Sequence, residues 1–357
     1  PATTLADYCY RHMFYNCTSL TTAPELPATT LVRDCYRHMF YSCTSLTTAP
    51  ELPATTLADS CYFSMFNRCK NLTTAPVLPA NSLANRCYYY MFYGCSSLKT
   101  APALPATTLI SECYSSMFSD CTSLTVAPEL PATTLAMHCY SGMFYGCTKL
   151  NYIKCLATDI SATNCTSNWV SGVASTGTFV KAADMTGWTT GTNGVPVNWT
   201  VEEYVDYNKE PLTFKITSGG SINWTALDGS ETKTKTIDYK KNNGEWVSIT
   251  STTTGAKITV NSGDKVQFRG NNAAYCDGGS SCNMFGGSTA GFEVEGNIMS
   301  LIYGDNFATL TTLESAFTFY MLFYNCTGLT SAENLILPAN SLASYCYSGM
   351  FAGCTSL

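Results

Sequence analysis

The sequence predicts a mixed architecture: a solenoid of 26-residue strand–helix units, then an all-β sandwich, then the start of a second solenoid. Three observations carry it. Cysteines recur every 26 residues at Cys9, Cys35, Cys61, Cys87, Cys113 and Cys139, and again at Cys17, Cys43, Cys69, Cys95, Cys121 and Cys147. Between 204 and 296 the apolar pattern alternates with period two. Beyond 310, pieces of the 26-residue unit return. At 357 residues there is room for about two domains of ~150 residues each. A hydrophobic share of 45% excludes disorder as the main state.

The unit reads L-P-A-x-x-L-x-x-x-C-Y-x-x-M-F-x-x-C-x-x-L-x-x-A-P-x. Leu31, Cys35, Met39 and Cys43 are spaced i, i+4, i+8, i+12, and Tyr36 with Phe40 repeats the step. That spacing predicts the apolar stripe of a short helix, with Thr30 (Ser82 in the fourth unit) at its N-cap. Ser45-Leu46-Thr47-Thr48 is β-prone, and Pro50 and Pro53 hold the following chain extended. One strand and one helix cannot bury a core alone, but stacked units can. The expected result is a leucine-rich-repeat solenoid of six units over 1–155.

Met13-Phe14-Tyr15-Asn16-Cys17-Thr18-Ser19-Leu20 carries a family resemblance. This step resembles the BspA-like leucine-rich-repeat surface proteins of gut and oral Bacteroidetes-type bacteria, over about 1–155 and 310–357. The resemblance implies export, display at the cell surface and adhesion to host or bacterial partners. The extra cysteine of each Cys-Tyr step departs from the commoner pattern.

After Leu150 the period fades, and 156–203, rich in Gly and Thr, is expected to cap the solenoid. Over 204–296, seven short strands are expected around Leu212–Ile216, Ile222–Trp224, Thr236–Tyr239, Trp246–Ile249, Ile258–Val260, Val266–Phe268 and Phe292–Val294, with turns at Gly219-Gly220, Asn242-Asn243-Gly244 and Ser262-Gly263-Asp264. Their number and spacing suggest an immunoglobulin-like sandwich. Residues 297–357 then supply an N-terminal cap and the first units of a second array. The C-T-S-L closing at Leu357 would run on into the P-A-T-T-L opening at Pro1 after six more residues, so a parent chain repeating this module is expected.

The cysteine spacing is C-x7-C, not that of zinc or thiol-redox sites. Eight helical residues rise ~12 Å, beyond the ~4.4–6.8 Å between bridged Cα atoms. The cysteines are therefore read as columns of buried thiols, with bridges between neighbouring units as the alternative. Cys276 and Cys282, flanking the loop Asp277-Gly278-Gly279-Ser280-Ser281, are read as a local disulfide. No nucleophile triad, phosphate loop or H-E-x-x-H is present, so no catalytic residue, cofactor or metal is assigned and an enzyme is not expected. A net charge of −6 argues against nucleic acid as a partner, and no apolar run is long enough for a membrane span.

Units differ most at outward positions of the expected helix. Tyr8, Arg11, His12, Tyr15, Arg37, His38, Tyr41, Tyr89, Tyr90 and Tyr93 form the candidate ligand-binding set, rich in the rigid aromatic and adaptable polar residues of binding loops. The expected function is that of a non-enzymatic, secreted or cell-surface adhesin, making repeated contacts with host or bacterial surface proteins or glycans and with further copies of itself. A structural fibre of tandem modules, or a phage-borne receptor-binding fibre, is the alternative.

Overall fold

A computed structural model describes residues 2–227, 233–278 and 282–357. Pro1, Gly279, Ser280 and Ser281, on which the chain start and part of the disulfide loop fall, lie outside them. Two compact units result, one ending at Tyr204 and one running from Val205 to Leu357.

In the first unit the chain climbs in rungs of 26 residues, but the expected helix is not formed. Where it was expected, alternate N–H groups follow two different routes. Arg37, Met39 and Tyr41 donate three residues back, to Asp34, Tyr36 and His38 (3.3, 3.1 and 3.2 Å), closing successive four-residue turns. Tyr36, His38 and Phe40 donate across to Cys61, Phe63 and Met65 of the next rung (3.0, 2.9 and 2.9 Å). Every fourth residue is left-handed: φ is 53° at Asp34, 55° at His38 and 56° at Ser42. This geometry explains the pairing C-Y, M-F, C better than a helix does. A 3.6-residue period would rotate those pairs off one face, whereas a four-residue turn string keeps every pair inward. Thr30 and Ser82 are not caps; they form parallel bridges through Thr56. A second line of bridges runs Thr48, Thr74, Thr100, Val126 and Tyr152.

Left-handed non-glycine residues each cost about 1–3 kcal/mol and persist only where the surroundings fix them. From Tyr8 to His138 each such residue also donates its N–H across the rung, as His12 does to Arg37 at 3.0 Å. Gly94 occupies one of these positions at φ +68°, where an added Cβ would meet nothing closer than Arg68 Cγ at 3.4 Å. Gly94→Val is therefore expected to cost about 2 kcal/mol through backbone strain. Gly94→Asn, the residue found at the equivalent Asn16, should cost a few tenths. Urea unfolding of both variants checks this, and equal losses would refute the assignment of strain.

Inside, like residues stack on like. Phe40, Phe66, Phe92 and Phe118 lie 5.5–5.7 Å apart with nearly parallel rings. Tyr36, Tyr62, Tyr88 and Tyr114 form a second column at 5.7–5.9 Å. Beyond Leu150 the sequence period fades while the backbone period persists through left-handed Asn164, Asn168 and Gly172. There Trp169 alone covers the ends of both columns, 6.2 Å from Tyr140 and from Phe144, and Trp188 stacks on it at 5.5 Å. Strands β1 (Tyr152–Cys155), β2 (Thr178–Ala182) and β3 (Thr200–Tyr204) close this unit as a parallel sheet.

The second unit holds β4 (Leu212–Ser218), β5 (Gly220–Ala226), β6 (Thr236–Lys241), β7 (Val247–Thr250), β8 (Ala256–Val260), β9 (Lys265–Arg269), β10 (Asn283–Met284), β11 (Gly291–Asn297), β12 (Thr312–Leu313), β13 (Leu329–Ile336) and β14 (Ser341–Leu342). All seven expected strands are among them. One sheet has the order β13-β11-β4-β9-β6-β7 and another β10-β5-β8. Both contribute to one core, with Phe214, Phe268 and Phe292 from the first and Ile222, Trp224 and Ile258 from the second.

The turn string returns at left-handed Phe317, Met321, Asn325, Tyr345, Gly349 and Gly353. Its aromatic columns begin on residues from within 204–296. Tyr275 stacks under Phe319 and Tyr347, and Phe285 under Phe323 and Phe351. The sheet part thus supplies the foundation rung of this array, ahead of the N-terminal cap expected at the start of 297–357.

Candidate binding surface

The turn string fixes which side chains leave the core. Each four-residue step places two side chains in the core columns and two beside them, so positions 11 and 12, 37 and 38, 63 and 64, and 89 and 90 lie outside the core columns, with Ser64 nonetheless covered at 1% exposure. All ten candidate residues sit on this turn side of the rungs, and most touch one another. His12 stacks on His38 at 4.9 Å and Tyr15 on Tyr41 at 4.7 Å. The Arg37 guanidinium lies 4.2 Å over the Phe63 ring, which stacks on Tyr89 at 4.9 Å. Tyr90 meets Tyr89 and Tyr93 edge-on at 4.4 and 5.3 Å. Arg11 packs over Tyr8 at 5.7 Å. Phe63, which links the second and fourth rungs, was not in the candidate set; its spacing from Arg37 and Tyr89 is the signal that would have included it.

Electrostatics hold these groups in defined protonation states. Burial, reinforced by His12, Arg37 and Arg11, pushes His38 down to about 4. His12 is lowered by burial and by Arg11 and Arg37. Both imidazoles are thus neutral at pH 7, which is what lets them stack. Burial and neighbouring Tyr90 raise Tyr89 to about 12, so its hydroxyl stays protonated. Arg37 pairs with buried Asp34 at 3.0 Å, and Arg86 with Glu112 at 2.8 Å. In the next rungs the same positions carry Ser115, Ser116, Ser119, Ser141, Gly142 and Tyr145. The continuous aromatic and cationic run ends there, with Tyr145 as an isolated exposed ring and Ser115 and Ser119 buried.

The thiols form a structural ladder. Cys69 Sγ donates to Phe40 O (3.0 Å), Cys95 to Phe66 (3.1 Å), Cys121 to Phe92 (3.1 Å) and Cys147 to Phe118 (3.0 Å). Burial raises every one of these thiols. They act as protonated donors between rungs rather than as nucleophiles. Cys276 and Cys282 are disulfide-bonded. Among the described residues, no group of three or more His, Cys, Asp or Glu is placed to hold a metal ion, and no helix is long and apolar enough to cross a membrane.

The family model of the BspA type leucine rich repeat region matches residues 6–125 and 74–168, in six copies. No curated protein and no solved structure matches the chain. Residues 6–168 therefore carry BspA-type leucine-rich repeats, a repeat class associated with protein–protein interaction and surface proteins.

Proposed function

We propose that this protein is a non-enzymatic, extracellular or cell-surface adhesin that holds protein or glycan partners through contacts repeated along the turn side of its solenoid. On this reading, 1–155 forms the binding array, 156–203 its cap, 204–296 an immunoglobulin-like spacer, and 297–357 the start of the next array. The observation that carries it is the continuous run of stacked aromatic, imidazole and guanidinium groups over the first four rungs. Stacking fixes these side chains before any partner arrives, so little conformational entropy remains to be lost on binding. Single contacts of this kind are weak, and a rod presenting several multiplies them by avidity.

The test is retention of the protein on arrays of immobilised glycans and cell-surface proteins. Tyr8 and Tyr15 are 45% and 48% exposed, so Tyr8→Ser with Tyr15→Ser should shift the melting temperature little. Retention lost about tenfold or more in that variant is expected. Retention by neither array, or retention indifferent to the two substitutions, overturns the reading.

A further inference from the structure

The proline-bearing side of the rungs carries a second feature, independent of the aromatic face. A trough of about 480 Å³ is lined by Ala23, Glu25, Pro27, Pro50, Glu51 and Pro53. A neighbouring hollow of about 250 Å³ shares Pro50, Glu51 and Pro53 and is bounded by Pro76, Val77 and Pro79. Val77 is 78% exposed. No basic residue lines either hollow, and neither Glu25 nor Glu51 has an ion-pair partner among the described residues. Residues 23–28 and 49–54 make no backbone hydrogen bond among the described residues. Here both neighbouring rungs carry proline, which removes the donors at positions 24, 27, 50 and 53.

The fifth rung shows what chemistry satisfies the same A-P-E-L-P stretch. There Glu129 pairs with Lys154 at 3.2 Å. Its backbone is paired as well: Ala127 N–H donates to Tyr152 O (2.9 Å), Leu130 N–H to Lys154 O (3.0 Å) and Leu156 N–H to Leu130 O (3.0 Å). The partner is β1, an extended, proline-free segment bearing one lysine. In rungs one and two the place of β1 is taken by the next rung's own proline-bearing stretch, which offers no lysine, so the carboxylates of Glu25 and Glu51 stay without an ion-pair partner among the described residues.

We propose that the trough between 23–27 and 49–53 is a docking site for an extended peptide segment of a partner protein that carries a lysine or arginine. The cation sits between Glu25 and Glu51. An apolar side chain two residues away, ~6.6 Å along an extended chain, fills the hollow beside Val77.

The experiment is fluorescence anisotropy at low salt, using the full chain and a short labelled peptide with lysine and valine two positions apart. The same peptide with glutamate for lysine is the control. Glu25→Gln with Glu51→Gln should weaken the lysine peptide about tenfold, and Val77→Ser should weaken it further. Glu129→Gln, whose cation is internal, should leave affinity unchanged. Both glutamates are exposed and unpaired, so circular dichroism melting should match the unaltered protein. The proposal is overturned if the lysine peptide fails to bind below about 1 mM. It is equally overturned if the double substitution leaves affinity unchanged, or if Glu129→Gln weakens binding as much; either result means general attraction to a protein of net charge −6.

Discussion

Raising the pH from 8 to about 10.5 is expected to unfold the repeat array in a steep transition, because its core is built of thiols that fold only in their protonated form. Burial lifts Cys35 and Cys43 to about 11 and Cys147 and Cys155 to about 12, with the inner thiols shifted the same way. The sign follows from these raised values. Below about pH 8.5 a thiol is protonated whether the chain is folded or not, and its full contribution is present. Above it, the unfolded chain releases the proton while the folded chain keeps it, and stability falls by about 1.4 kcal/mol per thiol per pH unit. Ten cysteines from Cys35 to Cys147 are buried. Together they lose in one pH unit an amount comparable to the whole 5–15 kcal/mol stability of an ordinary domain. Circular dichroism against pH, with intact mass after brief alkylation at each point, reads the transition. At pH 8 the labels should fall on exposed Cys9 and Cys17, with partly exposed Cys354 reacting more slowly. The buried columns should label together, and only at the transition. A melting temperature flat from pH 8 to 10.5 would show that the thiols do not hold the array.

Phe92→Ala should cost about 3–5 kcal/mol. The ring is fully buried, with Phe66 and Phe118 each 5.7 Å away on its two faces. Little can collapse into the space, because the neighbouring rings are fixed by rungs that pair through Phe92 N–H to Met117 O at 2.9 Å. In a solenoid each rung contacts only its neighbours, so a defect in the middle uncouples the two halves. Phe14→Ala, at a half-buried ring with one stacked neighbour, should cost less than half as much. Urea unfolding separates the two variants, and hydrogen exchange should show protection lost on both sides of Phe92. Equal costs would mean that the columns do not carry the stability assigned to them.

Much of this molecule was legible before any coordinates. The 26-residue period, the seven strands between Leu212 and Val294 and the inward columns of cysteine, tyrosine, methionine and phenylalanine all follow from spacing along the chain. Alternation with period two describes a strand whatever its partners are. Recurrence of C-Y-x-x-M-F-x-x-C describes a rung whatever its backbone conformation is. The ten outward candidates were also separable from the core by the variation between rungs, although the helix used to place them does not exist.

What only the tertiary structure decided is where the backbone bonds go. Apolar pairs four residues apart suit a helix over one or two turns, and no local signal outweighs that except the glycines and asparagines at Asn16, Gly94, Gly146 and Gly172. The choice against helix is made by N–H groups reaching a rung 25 residues further along the chain, as Tyr36 reaches Cys61. The thiol donors of Cys69 and Cys95, the foundation rung of Tyr275 and Phe285, and the open trough at Glu25 and Glu51 are of the same kind. Each depends on which segment lies beside which in the stack. A repeat sequence fixes what every rung presents to its neighbours, and only packing one rung on the next decides which of those groups find partners.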